Sequence, residues 1–192
     1  MLMQVVFHAQ MEAEEGSFTF ENVADGVCKK LIERHPHVFG EVEVTGSEEV
    51  LRNWDDIKKR SKGQTSQTET MLSVPRELPA LMRATKVQKK AAKVGFDWPD
   101  ISGAVDKLYE ETSELSGAIE SGSEEEIAEE LGDLLFSAVN VSRFVGCDAE
   151  EALTAATDKF MRRFACVEEK ARERGLKLEE LSLSELDALW DE

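Results

Sequence analysis

Ten acidic side chains crowd residues 110–133: Glu110, Glu111, Glu114, Glu120, Glu124, Glu125, Glu126, Glu129, Glu130 and Asp133. The same stretch contains no Lys or Arg. A solvated helix face normally mixes signs, because Glu and Lys four apart attract each other. Glu111 and Glu114 are three apart, hence neighbours on one helical face, and Glu130 and Asp133 repeat the spacing. Two bare carboxylates at ~4 Å repel by about 4 kcal/mol at an effective dielectric of 20. A cluster of this kind calls for cations, and all-oxygen ligands select hard ones: Mg²⁺, with Mn²⁺ able to substitute. A merely acidic surface on a helical hairpin fits the spacing equally well. A di-iron carboxylate bundle does not, because it needs Glu-x-x-His on its helices. The histidines, His8, His35 and His37, lie outside both acidic segments.

Metal held by carboxylates is the usual partner of phosphate, and phosphate also needs positive charge. Lys159 and Arg163 are four apart and share a face, with Arg162 beside them; they suit outer phosphates, or they simply offset the acidic helices. Lys86, Lys89, Lys90 and Lys93 form a second basic run, which reads as a wet face. Trp98 and Trp190 are able to stack on a base, although core packing is the commoner use of Trp. The formal charge of −17 argues against a nucleic-acid partner, which would require a basic footprint. It leaves a phosphate substrate open, because metal ions reverse the local sign of an acidic cleft.

The elements that must position these residues are helices almost throughout. Met3–Glu14 forms one, ended by Gly16. Thr19 caps another over 21–34, and Ser47 starts one over 48–60. EVEVT at 41–45 is the only strand-like alternation. Residues 61–79 carry two prolines and no apolar period, and read as a linker. A basic helix runs from Ala80 to Lys93. Helix 101–121 opens with Pro99 at its start and carries Ile101, Val105, Leu108, Leu115 and Ile119. Ser123 and Glu126 make a capping box for helix 124–145, whose stripe holds Ile127, Leu131, Leu134, Leu135, Ala138, Val141 and Val145. The short link at 121–123 makes these two helices antiparallel, and packing their stripes brings the carboxylate pairs together. A long helix spans 149–174, and a short one, 183–190, carries Trp190.

Three widely spaced cysteines, Cys28, Cys147 and Cys166, imply buried or inert thiols rather than disulfides or zinc. No apolar run is long enough to cross a bilayer, and the N-terminus has no signal-peptide pattern; a cytoplasmic location without membrane contact is expected. An internal similarity links LMQVVFH at 2–8 to LFSAVNV at 135–141. It also links KKLIER at 29–34 to DKFMRR at 158–163, which sets Lys30 and Arg34 opposite Lys159 and Arg163.

YEETSE at 109–114 and EELGDLLFSAVNVSRFVG at 129–146 resemble the MazG family of nucleoside triphosphate pyrophosphohydrolases, whose pattern is EExxE, a gap, then ExxD. ATKVQKKAAKVGFDWPD, KFMRRF, HPHVFG and NWDDIKK are similar to segments of two-domain members. The resemblance implies an all-α antiparallel helix bundle completed by homodimerisation, and Mg²⁺-dependent cleavage of a nucleoside triphosphate between its α- and β-phosphates. It implies metal ligation by Glu111, Glu114, Glu130 and Asp133, with Glu111 or Glu114 taking the proton of the attacking water. It puts Lys107, Glu110, Lys159, Arg163 and Trp190 against the substrate. Three regions follow: 1–60, the later part of a first MazG-like domain with a connecting helix; 61–79, a linker; and 80–192, the catalytic domain. The first region lacks its own acidic motif, and Glu126 stands where a relative carries a phosphate-binding Lys. The rival expectation is a non-catalytic acidic module that binds a basic partner.

Overall fold

The computed structural model describes residues 1–40, 46, 50, 54, 57 and 63–192, and among them there is no strand. The strand expected at 41–45 and most of the helix expected at 48–60 lie outside the described residues. The chain divides into two compact units, Met1–Thr70 and Met71–Glu192.

The first unit holds α1 (Leu2–Glu14), α2 (Phe20–Arg34) and the single turn α3 (Pro36–Phe39). Gly16 breaks the chain after α1 with φ +75°, a left-handed backbone that favours glycine. Thr19 then caps α2 reciprocally: Asn22 N–H donates to Thr19 Oγ1, and Thr19 N–H donates to Asn22 Oδ1. Two donors that the helix leaves unpaired are thus satisfied. A further short helix, α4 (Gln67–Leu72), occupies the stretch expected to be an irregular linker. Its signal is local: Glu69 accepts backbone N–H groups from Thr65 and Ser66, closing the turn ahead of the helix.

The second unit contains α5 (Ala80–Ala92), α6 (Ile101–Ser121), α7 (Glu124–Phe144), α8 (Ala149–Glu173), one 3₁₀ turn (Leu178–Glu180) and α9 (Leu183–Asp191). α6 is capped by Asp100, whose carboxylate accepts from Ser102 N–H at 2.8 Å. Pro99 therefore precedes the cap and does not open the helix as expected. Gly122, at φ +75°, ends α6 and turns the chain directly into α7. Ser123 Oγ accepts from Glu126 N–H, but the Glu126 carboxylate accepts from Ser121 Oγ at 3.0 Å instead of reaching back to the cap, so half of the expected capping box forms.

The α6–α7 hairpin packs through small groups, and Ala104, Ala118, Ser137 and Val139 are buried. The apolar stripes expected to fill the core do so only in part: Val105, Leu108, Leu115, Ile127, Leu134 and Val141 are half-buried, while Ile119, Leu131, Leu135 and Val145 are exposed. α9 folds back on the C-terminal end of α8, where Val167, Ala171 and Leu189 form a small core with Leu178, Leu181, Leu186 and Trp190 around it. The cysteines are not buried, as one expectation had it; Cys28, Cys147 and Cys166 are all exposed free thiols. No described helix is long and apolar enough to cross a membrane.

Candidate active site

The hairpin brings three of the four expected metal ligands to one point. Glu111 and Glu114 from α6 and Glu130 from α7 each offer a carboxylate oxygen, and these oxygens lie within 4.8 Å of one another. Glu111 is the innermost, with its side chain only 6% exposed; Glu130 is half-buried and Glu114 exposed. Asp133, one turn along α7 from Glu130, is exposed and stands outside this triad. Its charge still reaches the cluster. Desolvation, followed by the charges of Glu114, Glu111, Asp133 and Glu129, pushes the Glu130 carboxyl above its ordinary range.

One cation answers them. Lys107 Nζ sits 2.6 Å from Glu111 and 3.1 Å from Glu110, at helical spacings of four and three. The hydrogen bonds to Glu111 and then Glu110 hold the ammonium well above the ordinary lysine range, so it stays charged. Among the described residues, one ammonium against this many carboxylates leaves the cluster net negative. That donor set suits a hard divalent cation and offers nothing to a soft one.

The residues expected to meet the substrate form a second group on α8 and α9. The Arg163 guanidinium lies 4.0 Å from the centroid of the Trp190 ring and donates to the Trp190 carbonyl at 3.2 Å. Phe160 packs on the same indole at 5.2 Å, and Lys170 donates to the Leu189 carbonyl at 3.0 Å. Two cations thus cap the final carbonyls of α9, where the helix dipole is negative. Lys159 lies on the exposed part of α8. Among the described residues, no hydrogen bond or ion pair joins this group to the acidic triad. The Arg163–Trp190 pair spans 27 residues and no spacing rule reveals it, whereas Lys107–Glu111 is an i,i+4 pair legible in the sequence.

Residues 1–39 and 102–167 match the sequence family described as the MazG nucleotide pyrophosphohydrolase domain. Over its whole length the chain is 43% identical to the nucleoside triphosphate pyrophosphohydrolase of Escherichia coli (strain K12), covering 74% of that protein. The chain belongs to the MazG family. A second relative, from Thermotoga maritima, is 44% identical over the whole chain and 72% of its own length; it is named nucleoside triphosphate pyrophosphohydrolase/pyrophosphatase MazG. A Bacillus subtilis (strain 168) protein named YabN is 49% identical over the whole chain, which covers 39% of it. The MazG match falls on two separate stretches, and the shorter contains residues 2–8 and 29–34, the first copies of the internal similarity.

Proposed function

We propose that the chain hydrolyses nucleoside triphosphates to the monophosphate and pyrophosphate, with a divalent metal, Mg²⁺ by preference and Mn²⁺ in its place, held by Glu111, Glu114, Glu130 and Asp133. The observation that carries this reading is the convergence of three carboxylates, one of them buried, on a point where, among the described residues, one lysine balances them. Asp133, a turn beyond Glu130, would complete the ligand set. When bound, the metal neutralises phosphate oxygens and acidifies a coordinated water. Glu111 or Glu114 would take the proton of the attacking water as the water oxygen bonds to the α-phosphorus. The bond from that phosphorus to the α–β bridging oxygen then breaks, and pyrophosphate leaves. Lys107, bridged to Glu110 and Glu111, orients the ligand carboxylate and offers an ammonium to the phosphates; Glu110 holds that lysine. Lys159 and Arg163 meet the outer phosphates, with Trp190 stacked behind Arg163 to hold its plane. We read 80–192 as the catalytic region, 61–79 as a connector and 1–60 as a related region without an acidic motif.

We further propose that the working form is a homodimer in the cytoplasm, with neither nucleic acid nor membrane as partner. Every residue of α8 from 151 to 166 is exposed, including Leu153, Phe160, Met161 and Phe164 on one flank. An apolar flank of this kind calls for a partner surface.

Product analysis over a panel of triphosphates tests the activity. Pyrophosphate released in a metal-dependent manner, and lost in Glu111→Gln and Asp133→Asn, is the expected result. Unchanged release in both variants would leave the non-catalytic acidic module as the better reading.

A further inference from the structure

The proposed metal ligands sit on a hairpin whose covalent link lies at one end. Gly122 joins α6 to α7 there, so the start of α6 and the end of α7 form the open end. Carboxylates on the two helices repel one another, and repulsion across such a hairpin drives the open end to splay. A tie sits at that end. The turn at 96–98 precedes the Asp100 cap of α6, and Arg143 of α7 grips its Asp97 carboxylate with both terminal nitrogens, one of them at 2.8 Å. The pair is largely buried, with the Asp97 side chain 24% and that of Arg143 13% exposed. A planar guanidinium held at two points fixes orientation as well as distance.

Each partner of the tie is itself held. Arg143 also donates to Asn140 Oδ1 at 2.7 Å, and its guanidinium lies 4.6 Å from the centroid of the Phe144 ring. Asp97 Oδ1 accepts from Trp98 N–H at 3.0 Å, and the Trp98 indole is seated over Gly103 of α6. A Cβ added at Gly103 would come within 2.5 Å of that ring. Gly103 lies inside a regular helix and is not among the glycines at positive φ, so close approach rather than backbone freedom accounts for it. Glycine within a helix is less favourable than alanine, and here it gives the ring its seat.

The face of α6 that receives the ring is the face that carries the carboxylates. Gly103, Lys107, Glu111 and Glu114 follow one another at steps of four, four and three, which keeps them within about 80° around the helix. A rotation of α6 about its axis would therefore lift Gly103 from the indole and swing Glu111 and Glu114 away from Glu130 together. We propose that Asp97, Arg143, Trp98 and Gly103 are positioning residues for the metal site. Through them the end of α7 sets the rotation of α6 and holds Glu111 and Glu114 against Glu130 before a metal arrives. Gly103 lies roughly 12 Å along α6 from Glu111, and Arg143 roughly 20 Å along α7 from Glu130, so the four act through the helices and touch no bound metal. The inference rests on the proposed function for the identity of the triad as a metal site.

Mn²⁺ alone is the probe, titrated by calorimetry into the full chain, with a urea titration of each variant to fix the conditions in which it is fully folded. In those conditions Arg143→Met and Gly103→Ala should each weaken Mn²⁺ binding by about threefold to thirtyfold, the range over which residues remote from a ligand change its binding. Turnover at limiting Mn²⁺ should fall with that affinity and recover at saturating Mn²⁺, while KM for the nucleoside triphosphate at saturating metal stays at the parent value. Arg143→Lys keeps the charge without the two-point grip. Its affinity should fall between those of the parent and Arg143→Met, and it carries the test if Arg143→Met unfolds. A merely structural role predicts lower urea midpoints with Mn²⁺ affinity unchanged in the folded variants, and that result overturns the proposal. Mn²⁺ binding that the parent shows and Glu130→Gln loses upholds the metal site whatever Arg143→Met and Gly103→Ala do. A parent chain that binds no Mn²⁺ refutes the metal site and the positioning role together.

Discussion

Glu130 and Lys107 carry opposite consequences of the same crowding. Glu130 sits on α7 facing Glu114 and Glu111, and its carboxyl is pushed above the ordinary range by desolvation and by those neighbours. Ionised and without metal, it opposes folding; functional sites commonly hold such strain. Glu130→Gln removes one repelling charge and keeps the shape. In metal-free buffer its thermal midpoint should rise by roughly 1–4 °C, and the further rise that the parent chain shows with Mn²⁺ should disappear. A midpoint that falls without metal would mean the carboxylates are not in conflict. Lys107 works the other way. Its ammonium holds Glu111 at 2.6 Å and competes with any incoming cation for that oxygen. Lys107→Met should tighten Mn²⁺ binding roughly threefold to tenfold, a modest figure because the lysine is partly exposed and screened, while turnover falls through loss of a phosphate contact. Lys107→Arg should keep the parent metal affinity. Calorimetry with metal alone reads the first effect and steady-state kinetics the second; weaker metal binding in Lys107→Met would reverse the assigned role.

At the scale of elements, the helices α5 to α9 were legible in the sequence because Gly and cap residues bracket apolar periods. Asp100, Ser123, Asp148 and Ser182 each accept backbone N–H groups at a helix start, and Gly122, Gly146 and Gly175 adopt positive φ just after a helix end. Ser123→Ala should cost about 1 kcal/mol by exposing an N–H of α7, readable as a lower urea midpoint with unchanged slope. Two features were not legible. α4 is short and depends on one Glu69 carboxylate closing its first turn, which has no apolar period to announce it. The tie between Asp97 and Arg143 spans 46 residues, so local spacing says nothing of it. That tie gives the turn at 96–98 a pH dependence. The Arg143 guanidinium, through its hydrogen bonds, holds the Asp97 carboxyl below the ordinary aspartate range. A carboxyl depressed in the folded state contributes stability above its unfolded pKa, near 3.9, and loses it as pH falls through the folded value. Between pH 4.5 and pH 3 the parent chain should therefore lose more stability than Asp97→Asn, which has no carboxyl to protonate. Parallel urea titrations at several pH values check this; identical slopes for the two proteins would remove the ion pair from the account of the turn. The same Arg–aromatic arrangement occurs in each unit, with Arg34 5.7 Å over Trp54 and Arg163 4.0 Å over Trp190. The sequence similarity of 29–34 to 158–163 had aligned those two arginines, but not the tryptophans, which lie beyond the similar segments.

For the whole molecule, the balance of buried and exposed apolar surface decides what the chain requires of a partner. Among the described residues, the fully buried apolar ones are mostly small, Ala9, Ala104, Ala118 and Ala171 with Val74, Val139, Val167 and Leu189, while Leu131, Leu135, Leu153, Phe160, Met161 and Phe164 are exposed. Burial of apolar surface stabilises by roughly 25 cal/mol per Å², so a core built chiefly on alanine and valine leaves a large part of the available stabilisation unused in the isolated chain. The exposed side chains are grouped. Leu153, Phe160, Met161 and Phe164 follow one flank of α8, and Leu131 and Leu135 lie a turn apart on α7. The net charge of −17 opposes random association, so the proposed dimer would form through the apolar flank, and a metal bound at the acidic cluster would offset part of the repulsion. Two copies joined through α8 would also set Lys159, on that exposed helix, beside a second chain. The measurement is mass by light scattering over a dilution series, with the thermal midpoint recorded at each concentration. The parent chain should scatter as two copies, with a midpoint that rises with concentration. Leu153→Glu combined with Met161→Glu should scatter as one copy, melt independently of concentration and lose most pyrophosphate release, although neither residue touches the carboxylates. A double variant that remains two copies would take α8 out of the interface.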